Sequence, residues 1–213
     1  MKLYYNPISS YSQKVLITLF EKNIPFTPMI VNLMDPASRA DYEKVYPIGK
    51  VPCLVEDQGR VLPESTAIVE YLDNKFPNNP PRIIPQNSDA AIEARRWTCF
   101  ADSYLNDSMQ KILFDGMRPA DKRDGMGVEA AQKLLGRAYG MLDRHLAGKT
   151  YIVGDALSIA DCAAAPSLFY LRKVMPFDSH RNITSYFGRM LDRPSYARAI
   201  KEAEPILKSM GLG

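Results

Sequence analysis

KLYYNPISSYSQKVLITLFEKNIPFTPMIV, residues 2 to 31, decides the fold. It opens on a short apolar run, Leu3-Tyr4-Tyr5, and breaks at Asn6-Pro7. It then gathers the hydroxyls of Ser9, Ser10 and Ser12 ahead of the helix-like run Val15-Leu16-Ile17-Thr18-Leu19-Phe20. One serine is enough to cap a helix, by accepting a bond from a free backbone N–H. The pattern predicts a strand over Lys2–Tyr5, a helix over Tyr11–Lys22 and a second strand over Phe26–Val31. Strand, helix and strand in that order argue for an α/β unit with a parallel crossover.

Reading outward, a short helix is expected near Ser38–Val45, strands over Cys53–Glu56 and Val61–Leu62, and a helix near Thr66–Lys75. Val51 through Val61 reads as two strands around an Asp-Gln-Gly turn. The order is βαβαββα, a mixed sheet. From Pro77 to Asp89 the sequence PNNPPRIIPQNSD carries four prolines and three asparagines and no helical period. Beyond it the pattern is helical: Ala90–Phe114, Val128–Leu146, Ser158–Leu171, Ile183–Leu191 and Tyr196–Met210. The expected organisation is an α/β domain at 1–77, a linker at 78–89 and an all-α domain at 90–213. Ser158-Ile159-Ala160-Asp161 opens one of these helices as a capping box, with a folding role.

Composition narrows the function classes. The chain has 213 residues, 46% hydrophobic and 24% charged, and its net charge of +3 comes from 27 basic and 24 acidic residues without a basic block. That leaves nucleic acid outside the expected partners. No apolar stretch approaches the roughly 20 residues that span a bilayer, and MKLYYNPISS lacks the apolar core of a secretion signal, so the expectation is a cytoplasmic protein without a membrane partner. Cys53, Cys99 and Cys162 read as free thiols of a reducing compartment, with neither a disulfide framework nor a metal site. His145, near a helix end, and His180, in a loop, offer no histidine-based metal site or relay. There is no Walker loop and no dinucleotide glycine fingerprint.

Three clusters sit at junctions between elements, where open α/β sheets hold ligands. They are Tyr5 through Ser12, Ile48-Gly49-Lys50-Val51-Pro52, and Pro63-Glu64-Ser65-Thr66. With SSYSQKV, GKVPCLV, LPESTAIVEYL followed by a Pro-rich segment, and SIADCAAAPSL in that order over nearly the whole chain, the sequence resembles the cytosolic glutathione S-transferases. The similarity is to their bacterial serine-type members, with theta, beta and zeta classes as the nearest kinds.

The resemblance implies a thioredoxin-like first domain, a helical second domain, a homodimer, and glutathione as co-substrate for attack on a small hydrophobic electrophile. Glu64 and Ser65 would hold the γ-glutamyl end, its carboxylate at a helix N-terminus and its ammonium near Glu64. Val51-Pro52 would be a cis-proline junction whose Val51 backbone pairs with the cysteinyl residue like an added strand. Lys50 would meet the glycyl carboxylate. Two departures stand out: Tyr46 precedes Pro47 where the family commonly has Asn, and no basic residue lies between Leu33 and Ser38 to serve the glycyl end.

A thiol near pKa 8.5 is only a few per cent ionised at neutral pH, and the thiolate is the nucleophile. Lowering that pKa by about two units takes roughly 2.7 kcal/mol of preferential thiolate stabilisation. A hydroxyl donating to sulfur, worth about 1.5–3 kcal/mol, has that size. The family's serine classes put this hydroxyl at Ser9. Tyr5 is the first alternative, since other classes use a tyrosine at the end of strand one, and Ser10 is the next. The electrophile would lie against Tyr11, with Tyr104, Met109 and Phe114 as candidate apolar wall residues, on a helix where such a stripe is more often core or dimer surface than pocket. Two further readings are a non-catalytic member of the fold, of the stringent-starvation kind, and a glutathione-dependent isomerase similar to maleylacetoacetate isomerase. The isomerase class usually has Cys where this chain has Tyr11.

Overall fold

The structure is a computed structural model and describes residues 1–209. The expected end of the last helix at Met210 lies outside the described residues. The chain divides into two compact units, Met1–Ile84 with the described residues from Arg193 on, and Pro85–Asp192.

The first unit carries a four-stranded mixed sheet in the order β2-β1-β3-β4, with β1 Lys2–Tyr5, β2 Thr27–Ile30, β3 Cys53–Val55 and β4 Val61–Pro63. β1 runs parallel to β2, with Leu3 opposite Pro28, and antiparallel to β3, with Leu3 opposite Leu54. β3 and β4 form the expected hairpin, closed by Glu56 N–H to the Arg60 carbonyl at 3.0 Å, with Gly59 in its turn at φ 85°. Helix α1, Ser10–Glu21, buries Val15, Leu16, Ile17 and Leu19 completely. At about 1.5–3 kcal/mol per fully buried aliphatic side chain, these four are a main source of the unit's cohesion. On the other face of β1, Tyr4 stacks on Tyr42 of α2, Pro36–Glu43. Helix α2 starts earlier than Ser38 because Asp35 caps it through the N–H groups of Ala37 and Ser38, with Pro36 in the first turn. Helix α3 is Ser65–Lys75.

The stretch after α3, expected as linker, is fastened to this unit. Fully buried Lys22 and Asp73 pair at 3.0 Å. The Lys22 ammonium also donates to the carbonyls of Asn79 (2.6 Å) and Pro81 (3.1 Å), while Asp73 accepts the N–H groups of Ile83 and Ile84.

The second unit holds α4, Ser88–Phe100, a π-helical turn, Ala101–Asn106, and α5, Asp107–Gly116, where the periodicity predicts one long helix. The π turn contains neither proline nor glycine, and nothing in its sequence explains it. Then come α6, Gly125–Leu146, α7, Ile159–Val174, and α8, Arg181–Leu191. The capping box forms at the start of α7. The buried Asp161 carboxylate accepts from Ser158 N–H (2.8 Å), the Ser158 hydroxyl (2.9 Å), Ile152 N–H (2.9 Å) and the Tyr186 hydroxyl (3.0 Å).

The last helix, α9, Pro194–Ser209, belongs to the compact unit of the sheet rather than with the helices that precede it. Glu21 of α1 binds Arg193 at 2.6 Å and Ser195, and the Arg198 guanidinium lies 3.9 Å from the Phe20 ring centroid. Helical periodicity says that α9 is a helix; it does not say which sheet or helix receives it.

Candidate functional site

The junctions of the first unit bring the expected residues to the ends of β1, β3 and β4. Ser9 is the N-cap of α1, half-buried, with φ −77° and ψ 120°. Its Oγ accepts the Ser12 N–H at 3.3 Å, and its own N–H donates to the Asn6 carbonyl at 2.9 Å. A hydroxyl that accepts at oxygen keeps its proton for donation elsewhere. Ser10 is the first residue of α1 and 8% exposed; Ser12 lies fully buried within the helix, its Oγ accepting Asn6 N–H at 3.4 Å. The three serines thus occupy three different environments.

Tyr5 is in another position chemically. Its ring is buried against Phe26, and its hydroxyl donates to Glu202 of α9 at 2.9 Å. Burial, and then the bond to and the charge of Glu202, push its pKa far above the ordinary phenol range. The phenol proton is already committed to a carboxylate. Cys53, directly after Pro52, is no competing nucleophile, because burial pushes its thiol up to about 11.

At the second junction the Val51-Pro52 peptide is cis. The N–H and C=O of Val51 pair with no backbone group of the described residues. Lys50 is exposed, and its carbonyl accepts the Tyr42 hydroxyl at 2.6 Å, which ties the junction to α2. Gly49 before it has φ +65°, which favours glycine; the Glu43 carboxylate, 3.0 Å from where a Cβ would stand, is the end of a flexible side chain and can swing aside.

At the third junction Glu64 is the N-cap residue of α3 with φ 71° and ψ 110°, a strained conformation for a side chain other than glycine. Among the described residues no side-chain bond caps the helix there. The first N–H groups of α3 are orphan donors by helix geometry, and beside them lies the buried Ser65. Thr66 Oγ1 accepts the Lys14 ammonium at 3.3 Å, and that ammonium is 5.2 Å from the Tyr11 ring centroid. An uncapped helix start with a hydroxyl beside it suits a carboxylate.

The expected apolar wall divides. Tyr11 is half-buried on α1 in the first unit. Tyr104, in the π turn, and Phe114, in α5, are 45% and 54% exposed in the second unit. Met109 takes the core alternative: at 2% exposure it is a core side chain of α5, and its Met-type flexibility serves packing. Sequence reading did not single out Glu202, Asn6 or Gln13. Each is tied into this unit by a hydrogen bond, to Tyr5, Val31 and Pro7 respectively, that its place in the sequence does not reveal. Among the described residues no group of three or more His, Cys, Asp or Glu stands close enough to hold a metal ion.

Comparisons with known proteins bear on the family and the fold. The chain matches the family models "Glutathione S-transferase, N-terminal domain" over residues 3–80 and "Glutathione S-transferase, C-terminal domain" over residues 105–194. It is 27% identical over 196 residues to glutathione S-transferase GstB of Escherichia coli K12, covering 90% of this chain and 93% of that one. It is also 27% identical to a stringent starvation protein A homolog of Coxiella burnetii, over 99% of this chain and 96% of the relative. Among solved structures, a glutathione S-transferase of Methylobacillus flagellatus with GSH bound superposes with a TM-score of 0.84 at 31% identity, covering 93% of this chain and 98% of that one.

Proposed function

The chain belongs to the glutathione S-transferase family, and from that membership we propose that it joins the glutathione thiolate to a small hydrophobic electrophile, with Ser9 donating to sulfur. The observation that carries the choice of Ser9 is the division of hydroxyl protons at the end of β1. Tyr5 gives its proton to Glu202, whereas Ser9 accepts its capping bond at oxygen and keeps its proton.

In this reading the γ-glutamyl carboxylate takes the open start of α3 and the Ser65 hydroxyl, and the ammonium faces Glu64. The cysteinyl backbone pairs with Val51 beside Pro52, and Lys50 meets the glycyl carboxylate. The thiol proton leaves to solvent and the sulfur stays as thiolate, held by the Ser9 hydroxyl and the positive end of α1. With an aryl halide, the sulfur lone pair forms the S–C bond and the halide departs with the C–halogen pair. Tyr11 is the residue proposed against the electrophile. The reading extends to a cytoplasmic homodimer with a detoxifying role, on the strength of the family and of three cysteines that form no disulfide.

The similarity to a stringent starvation protein A homolog supports one second reading, a non-catalytic member of the fold. Retention on immobilised glutathione and the rate of conjugation with a chlorinated dinitrobenzene separate the two. The enzyme reading expects retention, and Ser9→Ala lowers the neutral-pH rate about tenfold to hundredfold, the equivalent of one charge-assisted hydrogen bond. Retention persists in Ser9→Ala, and Tyr5→Phe stays active. Loss of activity in Tyr5→Phe with full activity in Ser9→Ala would move the role to Tyr5. A wild-type protein that does not bind the tripeptide leaves the non-catalytic reading.

A further inference from the structure

The turn that delivers Ser9, residues 6 to 9, is held from two sides by side-chain amides. From within α1, Gln13 donates through Nε2 to the Pro7 carbonyl at 2.9 Å, while its own N–H bonds to the Ser9 carbonyl at 2.8 Å. From the sheet side, Asn6 donates through Nδ2 to the Val31 carbonyl, just past β2, at 2.9 Å, and its Oδ1 accepts the Ile8 N–H at 3.1 Å. Ser9 and Gln13 are four residues apart, and so share one face of the helix start.

Gln13 is fully buried, and its Oε1 has no hydrogen-bond partner among the described residues. A buried acceptor without a donor is a standing cost, and for stability alone an apolar side chain of the same size serves as well or better. The amide nitrogen is the half of Gln13 that has a partner, and that partner is the turn carrying Ser9.

We propose that Gln13 and Asn6 are positioning residues, whose amides fix the 6–9 turn so that the Ser9 hydroxyl proton is presented to the glutathione sulfur. The inference rests on Ser9 as the donor. Neither amide touches the thiolate; each acts through the backbone of the turn. A hydroxyl that must search for the sulfur stabilises the thiolate less than one already aimed at it, because the ordering has then to come out of the bond itself. Loosening the turn therefore raises the pKa of the bound thiol and leaves the binding of the tripeptide, at Val51 and α3, unchanged.

The test is the pH profile of kcat/KM for glutathione conjugation in wild type, Gln13→Met and Asn6→Ala, with the ultraviolet absorbance of the bound thiolate titrated in parallel. Gln13→Met keeps the volume and removes the orphan oxygen; Asn6→Ala loosens the same turn from a half-buried position. Both variants are expected to shift the profile upward by about one pH unit. That is close to a tenfold loss below the thiol pKa, with recovery to the wild-type rate at high pH and unchanged glutathione affinity. A profile that stays at the wild-type position in both folded variants, while Ser9→Ala loses activity, overturns the role of the amides and leaves Ser9 in place. Full activity in Ser9→Ala overturns the donor reading itself. Should Gln13→Met not fold, Asn6→Ala decides alone.

Discussion

Asp73→Ala is expected to destabilise the first unit by about 3–5 kcal/mol, although Asp73 lies at the far end of α3 from Ser65. Its carboxylate is fully buried and faces Lys22 at 3.0 Å, Arg82 at 3.0 Å, and the N–H groups of Ile83 and Ile84 at 2.9 and 3.2 Å. Removing it leaves a fully buried ammonium with two carbonyl acceptors and no counter-charge, and two amides without an acceptor. Breaking one side of a buried pair costs about 3–5 kcal/mol. The orphan amides add little beyond that, because the changes share one site and water entering the space relieves them together. Against a total stability of roughly 5–15 kcal/mol, the loss is large. Urea unfolding followed by circular dichroism reads it: with an m-value of about 3 kcal/mol/M, the midpoint falls by more than about 1 M. The double variant Lys22→Met/Asp73→Leu replaces the pair by apolar volume and should recover most of the loss. A single variant that costs less than about 1 kcal/mol, or a double variant no better than the single, refutes the reasoning.

Asp161→Asn halves the acceptor capacity facing four donors at the start of α7 and should cost about 2 kcal/mol or more, read by thermal unfolding; a shift in Tm within error of wild type counts against the capping network as a main support of the second unit. Alkylation of the native protein at neutral pH should label exposed Cys99 first and spare buried Cys53 and Cys162, as peptide mass mapping would report. Because burial raises the Cys53 thiol to about 11, the folded state holds that proton more tightly than the unfolded one. Its contribution to stability is full below the ordinary thiol pKa and is lost as pH rises toward 11, so denaturation midpoints measured across that window should fall less steeply in Cys53→Ala.

Much of the first unit was legible because its elements announce themselves locally. Val15 through Leu19 could only be a buried helix or strand, and the serines before them marked a helix start near Tyr11; the structure begins it at Ser10, with Ser9 as the cap. Asp57-Gln58-Gly59 between apolar runs fixed the hairpin. The Val51-Pro52 junction rested on family resemblance, since the dipeptide by itself favours trans. Other features depend on partners distant in sequence. Nothing around Tyr5 indicates that Glu202, 197 residues away, takes its proton. Nothing in the proline-rich stretch after α3 indicates that its carbonyls and amides are held by Lys22 and Asp73. Met109 and Phe114 look alike in an apolar pattern, yet they stand five residues apart in α5 and so on different faces, one core and the other surface; which face packs inward is set by partners elsewhere in the chain.

The return of α9 to the sheet bears on synthesis. In synthesis Tyr5 leaves the ribosome well ahead of its acceptor Glu202, which follows 197 residues later. At about 5–20 residues per second, that is an interval of roughly 10–40 s in which β1 and α1 lack their last packing partner. The helices of Pro85–Asp192 emerge as one continuous segment and can close while the nascent chain is still growing. The order of completion therefore runs against the order of synthesis: of the two units, the one that begins first is completed last.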